Sequence, residues 1–353
     1  MRVLQLIDSL NSGGAERMAI TIANALSSHT SQSFLFCTRE EGLLKETIND
    51  RVNYCFLNKK SSLDISFFRR LYSHIKSNNI QIMHAHSTSF FSACIMKLFL
   101  PSLKLIWHEH HGDRINQTRL NNFVLYFSSY FFNTIITVNK DLSLWCKNNL
   151  LTKYVVCIPN CVFFFNKPSD IDTRVNEIIC VANLRVPKNH LNLLRSFSEI
   201  RKVFPDWKLI LVGKVNSDRY YTKVTNFINE NNMNSSVEIL GEQSNVYTRM
   251  IKAKIGVLSS DIEGLPMALL EYGMYGLAVV CTDVGQCKTV LNNNGLVVPP
   301  NNPVAFGQAL LCYIENATKR ERDACSFQKH VKRNYSFESI LPKILTVYQQ
   351  VNY

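Results

Sequence analysis

The sequence predicts an α/β protein with two Rossmann-like domains, each built on a parallel β-sheet. Short apolar runs alternate with segments of helical periodicity, a pattern typical of a parallel sheet covered by helices on both faces. The alternation stops at a polar segment, residues 166–172, and then starts again. A length of 353 residues also favours two domains. We therefore expect domains at residues 1–165 and 166–335, whose sheets face each other across a ligand cleft, and a C-terminal helix at 336–353.

The first domain contains five runs with the character of strands and three segments with helical spacing. The predicted strands are residues 2–7, 33–37, 82–86, 103–107 and 134–138, the predicted helices are 15–26, 63–77 and 90–100, and residues 155–160 close the domain. Residues 123–132 are rich in aromatic side chains, and we interpret them as a further helix that packs in the core rather than against a membrane. The uncharged run around this helix, residues 120–139, has too many asparagines and serines to span a bilayer.

The second domain repeats the alternation. Its predicted strands are residues 178–182, 207–212, 237–240, 255–258, 278–281 and 295–298, and its predicted final helices cover about 303–317 and 319–333. A last helical segment extends to about residue 350.

Composition indicates a packed protein of a reducing compartment. Hydrophobic residues make up 46% of the chain and charged residues 19%, as in ordinary soluble proteins. The eleven cysteines include no C-x-x-C pair, and the start of the chain has no secretory pattern. We expect reduced thiols and a cytoplasmic location.

The net charge of +12 favours an anionic partner surface. Residues 1–165 carry 17 lysines and arginines against 10 acids, or +7, which leaves +5 for the rest. Such a face attracts an anionic membrane, and residues 67–72, with two arginines among apolar residues, are the predicted peripheral contact. Nucleic acid is not an expected partner, because the chain has no recognition motif.

A glycine pair follows the first predicted strand. Gly13 and Gly14 lie between that strand and a helix, where open α/β sheets bind ligands, and they would let the backbone approach a ligand closely. The pattern is neither G-x-G-x-x-G nor a Walker loop, so a purely structural turn remains an alternative.

Histidines follow two other strands of the first domain. The segments are His84-Ala-His86 and His108-Glu-His110-His111, each at the predicted carboxyl end of its strand. Such a cluster raises the possibility of zinc, but no histidine or cysteine pair has zinc-finger spacing. We therefore expect no metal, and hydrogen-bonded strand ends are the simplest interpretation.

Residues 259–271 carry two acids around a predicted helix start at Pro266. Glu263 precedes the start together with Gly264 and Leu265, and Glu271 lies about one and a half turns inside the helix. Backbone N–H groups at a helix start attract phosphate, and an acid further along can accept hydrogen bonds from ribose hydroxyls. The stretch therefore predicts a site for a nucleotide that carries a sugar.

In this order the motifs resemble the retaining glycosyltransferases of family 4, which have the GT-B fold. The resemblance implies transfer of a sugar from a nucleotide donor to an acceptor with retention at the anomeric carbon. It places Gly13 and Gly14, and less directly Glu16, near the donor phosphates and the acceptor. It also places His110 beside the donor sugar, with His111 as the alternative.

The resemblance extends to the donor-binding side of the second domain. Arg185 and Lys188 lie in the loop after the predicted strand 178–182, earlier in the chain than Glu263 and Glu271. Gly213 follows the next predicted strand, residues 207–212. Family members have Arg-x4-Lys in this loop, but the arginine position here is Asn183. We expect Arg185 to supply the missing charge beside Lys188, with Lys214 as the alternative source.

The same resemblance covers the junctions of the chain. Residues 155–163 match a segment that ends the first domain in the family, although Cys161 and Phe163 replace the usual Gly and Asp. Residues 336–353 match a C-terminal segment that crosses back onto the first domain.

The implied partners are a nucleotide sugar linked to UDP or GDP and a glycan acceptor, lipid-linked in many family members that build O-antigen or capsule. No cofactor or metal is expected, because Arg185, Lys188 and the helix start after Glu263 would stabilise the leaving diphosphate. The alternative function is a nucleotide-sugar-binding protein of the same fold without turnover.

Overall fold

The structure is a computed structural model that describes residues 1–29, 32–117, 122–163, 174–243 and 245–352. The predicted linker at residues 166–172 lies outside these ranges. The chain divides into two compact units: Met1–Cys161 together with Phe337–Tyr353, and Val162–Ser336.

In its described residues, the first unit contains a sheet of seven parallel strands in the order β3-β2-β1-β4-β5-β6-β7. The strands are β1 Arg2–Ser9, β2 Gln32–Glu40, β3 Asn53–Phe56, β4 Ile82–His86, β5 Lys104–Glu109, β6 Thr134–Thr137 and β7 Val155–Cys157. The helices between them are α1 Gly14–His29, α2 Ile65–Ser77, α3 Phe90–Phe99, α4 Phe123–Ser128 and α5 Lys140–Asn149.

The second unit contains a sheet of six parallel strands in its described part, in the order β10-β9-β8-β11-β12-β13. Its strands are β8 Glu177–Val181, β9 Lys208–Val212, β10 Val237–Gly241, β11 Ile255–Leu258, β12 Ala278–Thr282 and β13 Leu296–Val298. Its helices are α6 His190–Val203, α7 Arg219–Glu230, α8 Tyr247–Lys252, α9 Met267–Tyr275, α10 Cys287–Leu291, α11 Pro303–Glu315 and α12 Ala317–Tyr335.

The strand order reverses once in each sheet, between β1 and β4 and between β8 and β11. At such a point the connections leave towards opposite faces of the sheet, so a crevice opens at the carboxyl ends of the two strands. The α/β fold class with two Rossmann-like units is confirmed, and the crevices indicate where each unit would bind ligands.

Side-chain alternation along the strands builds the cores. In β1, Leu4 and Leu6 are buried in a cluster with Phe67 and Trp107, whereas Ile7 packs in a cluster with residues of α1. Helix starts are fixed by side chains, as where the Asp64 carboxylate accepts a hydrogen bond from the Phe67 N–H at 3.0 Å.

The burial of two segments, residues 67–72 and 123–132, differs from what the sequence predicts. In α2, Phe67 and Leu71 are fully buried, so the segment predicted to touch a membrane presents mainly Arg69, Arg70 and Tyr72 to solvent. The aromatic segment predicted to pack in the core ends as a helix at Ser128, and most of its aromatic side chains are exposed. A helix of six residues is too short to bury all sides of such a run.

The last helix, α13 Phe337–Asn352, belongs to the first unit. Its Tyr348 is fully buried, and the Tyr348 hydroxyl reaches Gln5 on β1 and His84 on β4. A segment that follows the whole second unit in sequence therefore packs against the sheet of the first unit.

Among the described residues, no helix has both the length and the apolar content needed to cross a bilayer. All eleven cysteines have free thiols.

Candidate active site

The strand-order reversal of the second unit brings together two predicted site residues. Lys188 ends the turn Val186–Lys188 after β8, and Glu263 lies in the loop after β11. The Lys188 Nζ is 2.5 Å from Glu263 Oε1, and the Ser260 Oγ donates to the same oxygen at 2.6 Å. The lysine and glutamate side chains are 18% and 8% exposed. This is an ion pair largely removed from water at the mouth of the sheet.

Backbone contacts hold the two loops together. Asn189 adopts a left-handed conformation with φ 46° and caps α6 by accepting from the Asn192 N–H. The Ser259 Oγ lies 3.0 Å from the Lys188 carbonyl and 3.1 Å from that of Asn189, and the Asp261 N–H donates to the Pro187 carbonyl at 2.8 Å. The position of Lys188 is therefore set by the loop that carries Glu263.

Two glycines allow close approaches of backbone around this pair. Gly285 has φ +50°, and a Cβ there would lie 2.1 Å from the carbonyl oxygen of Glu263. Gly213, which follows β9, leaves space that a Cβ could enter only at 2.2 Å from the Ala182 carbonyl oxygen. In addition, the Gln286 N–H donates to the Gly264 carbonyl at 3.0 Å. Side chains at either glycine would displace the loops that form the site.

Two cations, Arg185 and Lys214, lie in the loops after β8 and β9, and neither side chain has a partner in the described part of the chain. Arg185 is exposed, and its guanidinium makes no hydrogen bond or ion pair there. The same holds for the ammonium of Lys214, whose carbonyl accepts from the Leu184 N–H at 2.9 Å. Both side chains are available to a ligand, so Arg185 as the replacement for the family arginine stays a prediction.

The helix after Glu263 begins one residue later than predicted. Pro266 is the capping residue, and α9 starts at Met267. Leu265 and Pro266 are buried, Gly264 is half-buried, and Glu271 lies inside the helix with 7% of its surface exposed. The arrangement of a capping loop, a helix start and an internal acid is as the sequence predicts.

In the first unit, the glycine pair lies where α1 begins. Gly14 is the first residue of the helix and is exposed, and the Glu16 carboxylate folds back so that a Cβ on Gly13 would lie 2.1 Å from it. Burial raises the pKa of Glu16, which the Ser9 hydroxyl contacts at 3.4 Å. A side chain at residue 13 would therefore push the Glu16 carboxylate away from the turn.

Four histidines form a stacked cluster under Tyr348. The register of the sheet pairs His86 on β4 with His108 on β5. Ring centroids are 4.5 Å apart for His84 and His86 and 4.0 Å apart for His108 and His110. Burial lowers the pKa of each ring, to about 3 for His84 and well below the ordinary value for the other three. All four rings are therefore neutral at pH 7.

A hydrogen-bond chain fixes the proton positions of two of these rings. The Gln5 Nε2 donates to the Tyr348 hydroxyl at 3.1 Å, and the Gln5 Oε1 lies 2.9 Å from His86 Nε2. Because an amide oxygen only accepts, His86 carries its proton on Nε2 and has a lone pair on Nδ1. His110 Nε2, 3.1 Å from that lone pair, must then donate to it.

His110 is thereby left with its lone pair on Nδ1. This atom is buried, and the side chain of the buried Asn160 lies close enough to act as a hydrogen-bond partner of the ring. The imidazole is therefore prepared to accept a hydrogen bond at Nδ1 rather than to donate one.

Ligand nitrogens of His84, His86 and His108 lie within 4.8 Å of one another. The planes of these rings differ by only 11° to 33°. Lone pairs lie in the ring planes, so stacked rings direct them side by side rather than towards one ion. Both nitrogens of His86 are also occupied by Gln5 and His110. The cluster fits a hydrogen-bonded network better than a metal centre.

His111, the alternative to His110, has a different environment. Its side chain is 53% exposed and its Nδ1 lies 3.2 Å from the buried Glu109 carboxylate. Burial raises the pKa of Glu109, but the hydrogen bond from His111 and the charge of Arg114 outweigh burial and leave the pKa below its ordinary value. Glu109 therefore holds Arg114 and His111 as an ionic anchor after β5.

Two groups of polar residues were missed by sequence reasoning. Ser260 carries no signal beyond its place in the loop, yet it donates to the site carboxylate. Gln5 and Tyr348 lie in an apolar strand and in a distant helix, and their relation to His86 depends on tertiary packing. A glutamine inside a buried strand is the only available signal, because buried polar side chains need partners.

Family comparisons cover both units. A model described as Glycosyltransferase Family 4 matches residues 12–162, and one described as Glycosyl transferases group 1 matches residues 175–316. The chain belongs to glycosyltransferase family 4. It is therefore a glycosyltransferase, and the lysine, acids and histidines above lie in the two domains that define the family.

Individual relatives are distant but extend over most of the chain. The amylovoran biosynthesis glycosyltransferase AmsD of Erwinia amylovora is 23% identical over 356 residues, 97% of this chain and 98% of the relative. The GalNAc-alpha-(1->4)-GalNAc-alpha-(1->3)-diNAcBac-PP-undecaprenol alpha-1,4-N-acetyl-D-galactosaminyltransferase of Campylobacter jejuni is 23% identical over 327 residues, 88% of each chain.

Among solved structures, Anabaena Alr3699/HepE in complex with UDP and glucose superposes on this glycosyltransferase with a TM-score of 0.85. The match has 16% identity and covers 98% of this chain and 99% of that one. This likeness supports the GT-B architecture.

Proposed function

We propose that this glycosyltransferase moves a sugar from a UDP- or GDP-linked donor to a lipid-linked glycan, with retention at the anomeric carbon, during synthesis of a bacterial surface polysaccharide. The observation that carries the donor assignment is the Lys188–Glu263 pair at the strand-order reversal, beside the exposed Arg185. The names of the relatives support the acceptor class, because one acts in amylovoran biosynthesis and another on an undecaprenol diphosphate glycan.

The chemistry requires cations beside the departing diphosphate. The bond between the anomeric carbon and the diphosphate oxygen breaks, an acceptor hydroxyl oxygen bonds to that carbon, and the hydroxyl proton passes to the departing diphosphate or to water. Negative charge therefore accumulates on the departing diphosphate. Lys188, oriented by Glu263 and Ser260, would donate to that diphosphate, and Arg185 would supply a planar set of donors. No metal is part of this proposal.

The remaining predicted residues have supporting roles. Glu271 inside α9 would accept hydrogen bonds from the ribose, and the N–H groups of the Gly264–Leu265 loop and the start of α9 would contact phosphate. Gly213 would allow the nucleotide to approach the backbone. In the first unit, Gly13 and Gly14 would contact donor phosphate or acceptor, and His110 would accept a hydrogen bond from the transferred sugar. The protein would work in the cytoplasm as a peripheral protein on the inner face of the cell membrane.

The test combines binding with turnover. A thermal-shift screen of UDP- and GDP-sugars identifies the donor, because a ligand at 100 times its Kd adds about 2.7 kcal/mol of stability. The selected sugar nucleotide, radiolabelled in its sugar, is then incubated with a lipid-linked oligosaccharide. The anomeric configuration of the product is read from its proton NMR coupling. We expect transfer with retention. Stabilisation without transfer or hydrolysis would support a binding protein without turnover, and an inverted product would refute the retaining mechanism.

A further inference from the structure

An exposed aromatic surface covers one side of the first unit. We define the α4 face as Phe123, Val124, Tyr126, Phe127 and Tyr130. Phe123, Phe127 and Tyr130 are 59%, 54% and 75% exposed. Aromatic side chains carry large apolar areas, and several together on one short helix and the turn after it mark an interaction surface rather than scattered exposure.

The face is held in place from below. The Asn122 side chain, at the start of α4, accepts a hydrogen bond from Arg114 at 2.7 Å, and Arg114 is itself paired with the buried Glu109. At the other end, the Ser129 hydroxyl accepts from the Leu151 N–H at 2.8 Å. Leu125 is buried on the inner side of the helix. These anchors present the aromatic rings as a preformed surface.

The rings contact each other and enclose space. The ring centroids of Phe123 and Phe127 are 4.8 Å apart. Between these rings and the end of α5 lies a cavity of about 410 Å³, which is also lined by Tyr126, Trp145 and Leu151. Apolar material beside the helix could therefore enter between α4 and α5.

The charges around the face favour an anionic occupant. Lys147 and Lys153 are exposed on the segment that borders the cavity, and residues 142–163 contain no aspartate or glutamate. A second copy of the chain would bring the same lysines opposite these ones, whereas an anionic bilayer would neutralise them. The mixture of phenylalanine, tyrosine and lysine is also the composition found at membrane interfaces.

We propose that the α4 face docks on an anionic bilayer, with Phe123 and Phe127 among the acyl chains, the two tyrosines at headgroup level, and Lys147 and Lys153 against lipid phosphates. The inference deepens the proposed function, on which it rests, by assigning the membrane surface through which a lipid-linked acceptor is reached. It replaces residues 67–72 as the predicted contact, since Phe67 and Leu71 belong to the core.

The first experiment measures cosedimentation of the full chain with vesicles of phosphatidylcholine and phosphatidylglycerol at 3:1, and with phosphatidylcholine alone. We expect binding to the anionic vesicles that weakens as salt rises. The variant Phe123→Ser/Phe127→Ser should bind at least tenfold more weakly. The matched control Leu63→Ser/Ile65→Ser removes two apolar side chains of similar exposure, 70% and 69%, near α2 and should bind as the unmodified protein does.

The second experiment uses Trp145 as an internal reporter. Lipids brominated on the acyl chains quench tryptophan only at close range, and the other two tryptophans, Trp107 and Trp207, are buried in the cores. Fluorescence of the bound protein should fall with brominated anionic vesicles, and the quenching should disappear in Trp145→Phe. Quenching that persists in Trp145→Phe would overturn the assignment.

Other outcomes also contradict the proposal. Equal loss of binding in the Leu63→Ser/Ile65→Ser control, or no binding at low salt, would exclude the α4 face as a membrane surface. A concentration-dependent dimer that Phe123→Ser/Phe127→Ser dissociates would assign the face to a second copy. Sugar transfer to a detergent-solubilised acceptor distinguishes this inference from the proposed function. A protein that transfers sugar but does not bind vesicles refutes this inference alone. A protein that binds vesicles but does not transfer sugar refutes the proposed function.

Discussion

Lys188 and Glu263 illustrate how a charge pair can be prepared for a ligand. The glutamate is nearly buried and accepts from both Lys188 and Ser260, so its charge is compensated before any ligand arrives. The lysine retains donor positions that Glu263 does not use, since an ammonium has three. An incoming diphosphate would then meet an oriented cation rather than a mobile one.

Loss of either cation should impair transfer. We expect Lys188→Ala and Arg185→Ala each to lower kcat/KM by about 10² or more, which corresponds to about 2.7 kcal/mol of transition-state stabilisation. Lys202→Ala, which removes an exposed lysine that pairs with Glu199, is the control and should leave kcat/KM unchanged. If Arg185→Ala transfers at the normal rate while Lys214→Ala does not, the second cation is Lys214.

His110 and His111 differ in burial and in hydrogen-bond partners, so we expect their alanine variants to differ in transfer activity. His110→Ala should lose transfer while UDP or GDP still binds, because the ring would contact the sugar and not the nucleotide. His111→Ala should retain transfer. Initial rates and nucleotide titrations by calorimetry measure the two effects. The opposite pattern would move the sugar contact to His111.

His86 is a positioning residue for His110 in this arrangement. His86→Leu removes the acceptor that holds the proton on His110 Nε2, and the rate should fall by about tenfold, the effect of one hydrogen bond. His86→Asn places an amide oxygen near the position of Nδ1 and should restore most of the rate. Nitrogen NMR shifts of the His110 ring report the tautomer directly. An unchanged tautomer of His110 in His86→Leu would contradict the hydrogen-bond chain from Gln5 through His86 to His110.

At the scale of elements, the strands and the site loops follow from apolar runs and their ends. Lys188 and Glu263 could each be predicted as site residues because each follows a buried strand of one parallel sheet, but their ion pair was not predicted. The edge strand β3 escaped prediction because Asn53–Phe56 is short, polar in part and only half-buried. The pairing of His86 with His108 could not be predicted either, since register depends on two separate strands.

Gly285 connects the loop after β12 to the site. A Cβ in Gly285→Ala would collide with the Glu263 carbonyl, whereas in Gly276→Ala the nearest atom is a flexible Gln328 side chain at 3.3 Å. Both glycines have positive φ, so each substitution costs about 1 kcal/mol of backbone strain. Gly285→Ala should also raise the donor KM severalfold, and Gly276→Ala should not. Equal donor KM values in the two variants would show that the Glu263 loop tolerates displacement.

At the scale of the molecule, buried neutral histidines make stability depend on pH. The pKa is about 3 for His84 and about 4 for His190, both lowered by burial, so the folded chain cannot take up the protons that the unfolded chain binds below pH 6.5. Their contribution is complete above pH 6.5 and is lost as pH falls towards 4, by about 1.4 kcal/mol per pH unit for each histidine.

Thermal unfolding followed by circular dichroism tests this dependence. We expect the midpoint to fall steadily from pH 7.5 to pH 4.5. The variant His111→Gln, which changes an exposed ring, should show the same fall. A midpoint that stays constant between pH 7.5 and pH 5 would mean that the histidines are accessible to protons in the folded chain.

The return of α13 to the first unit also sets an order of events during synthesis. His84 and Tyr348 are separated by 264 residues, so a ribosome that adds 5 to 20 residues per second exposes β4 roughly 13 to 53 s before its covering tyrosine exists. During that interval Gln5 and the stacked imidazoles lack the contact with Tyr348, while the whole second unit can already fold. The nascent first unit therefore cannot complete its core until α13 has been translated, after the whole second unit.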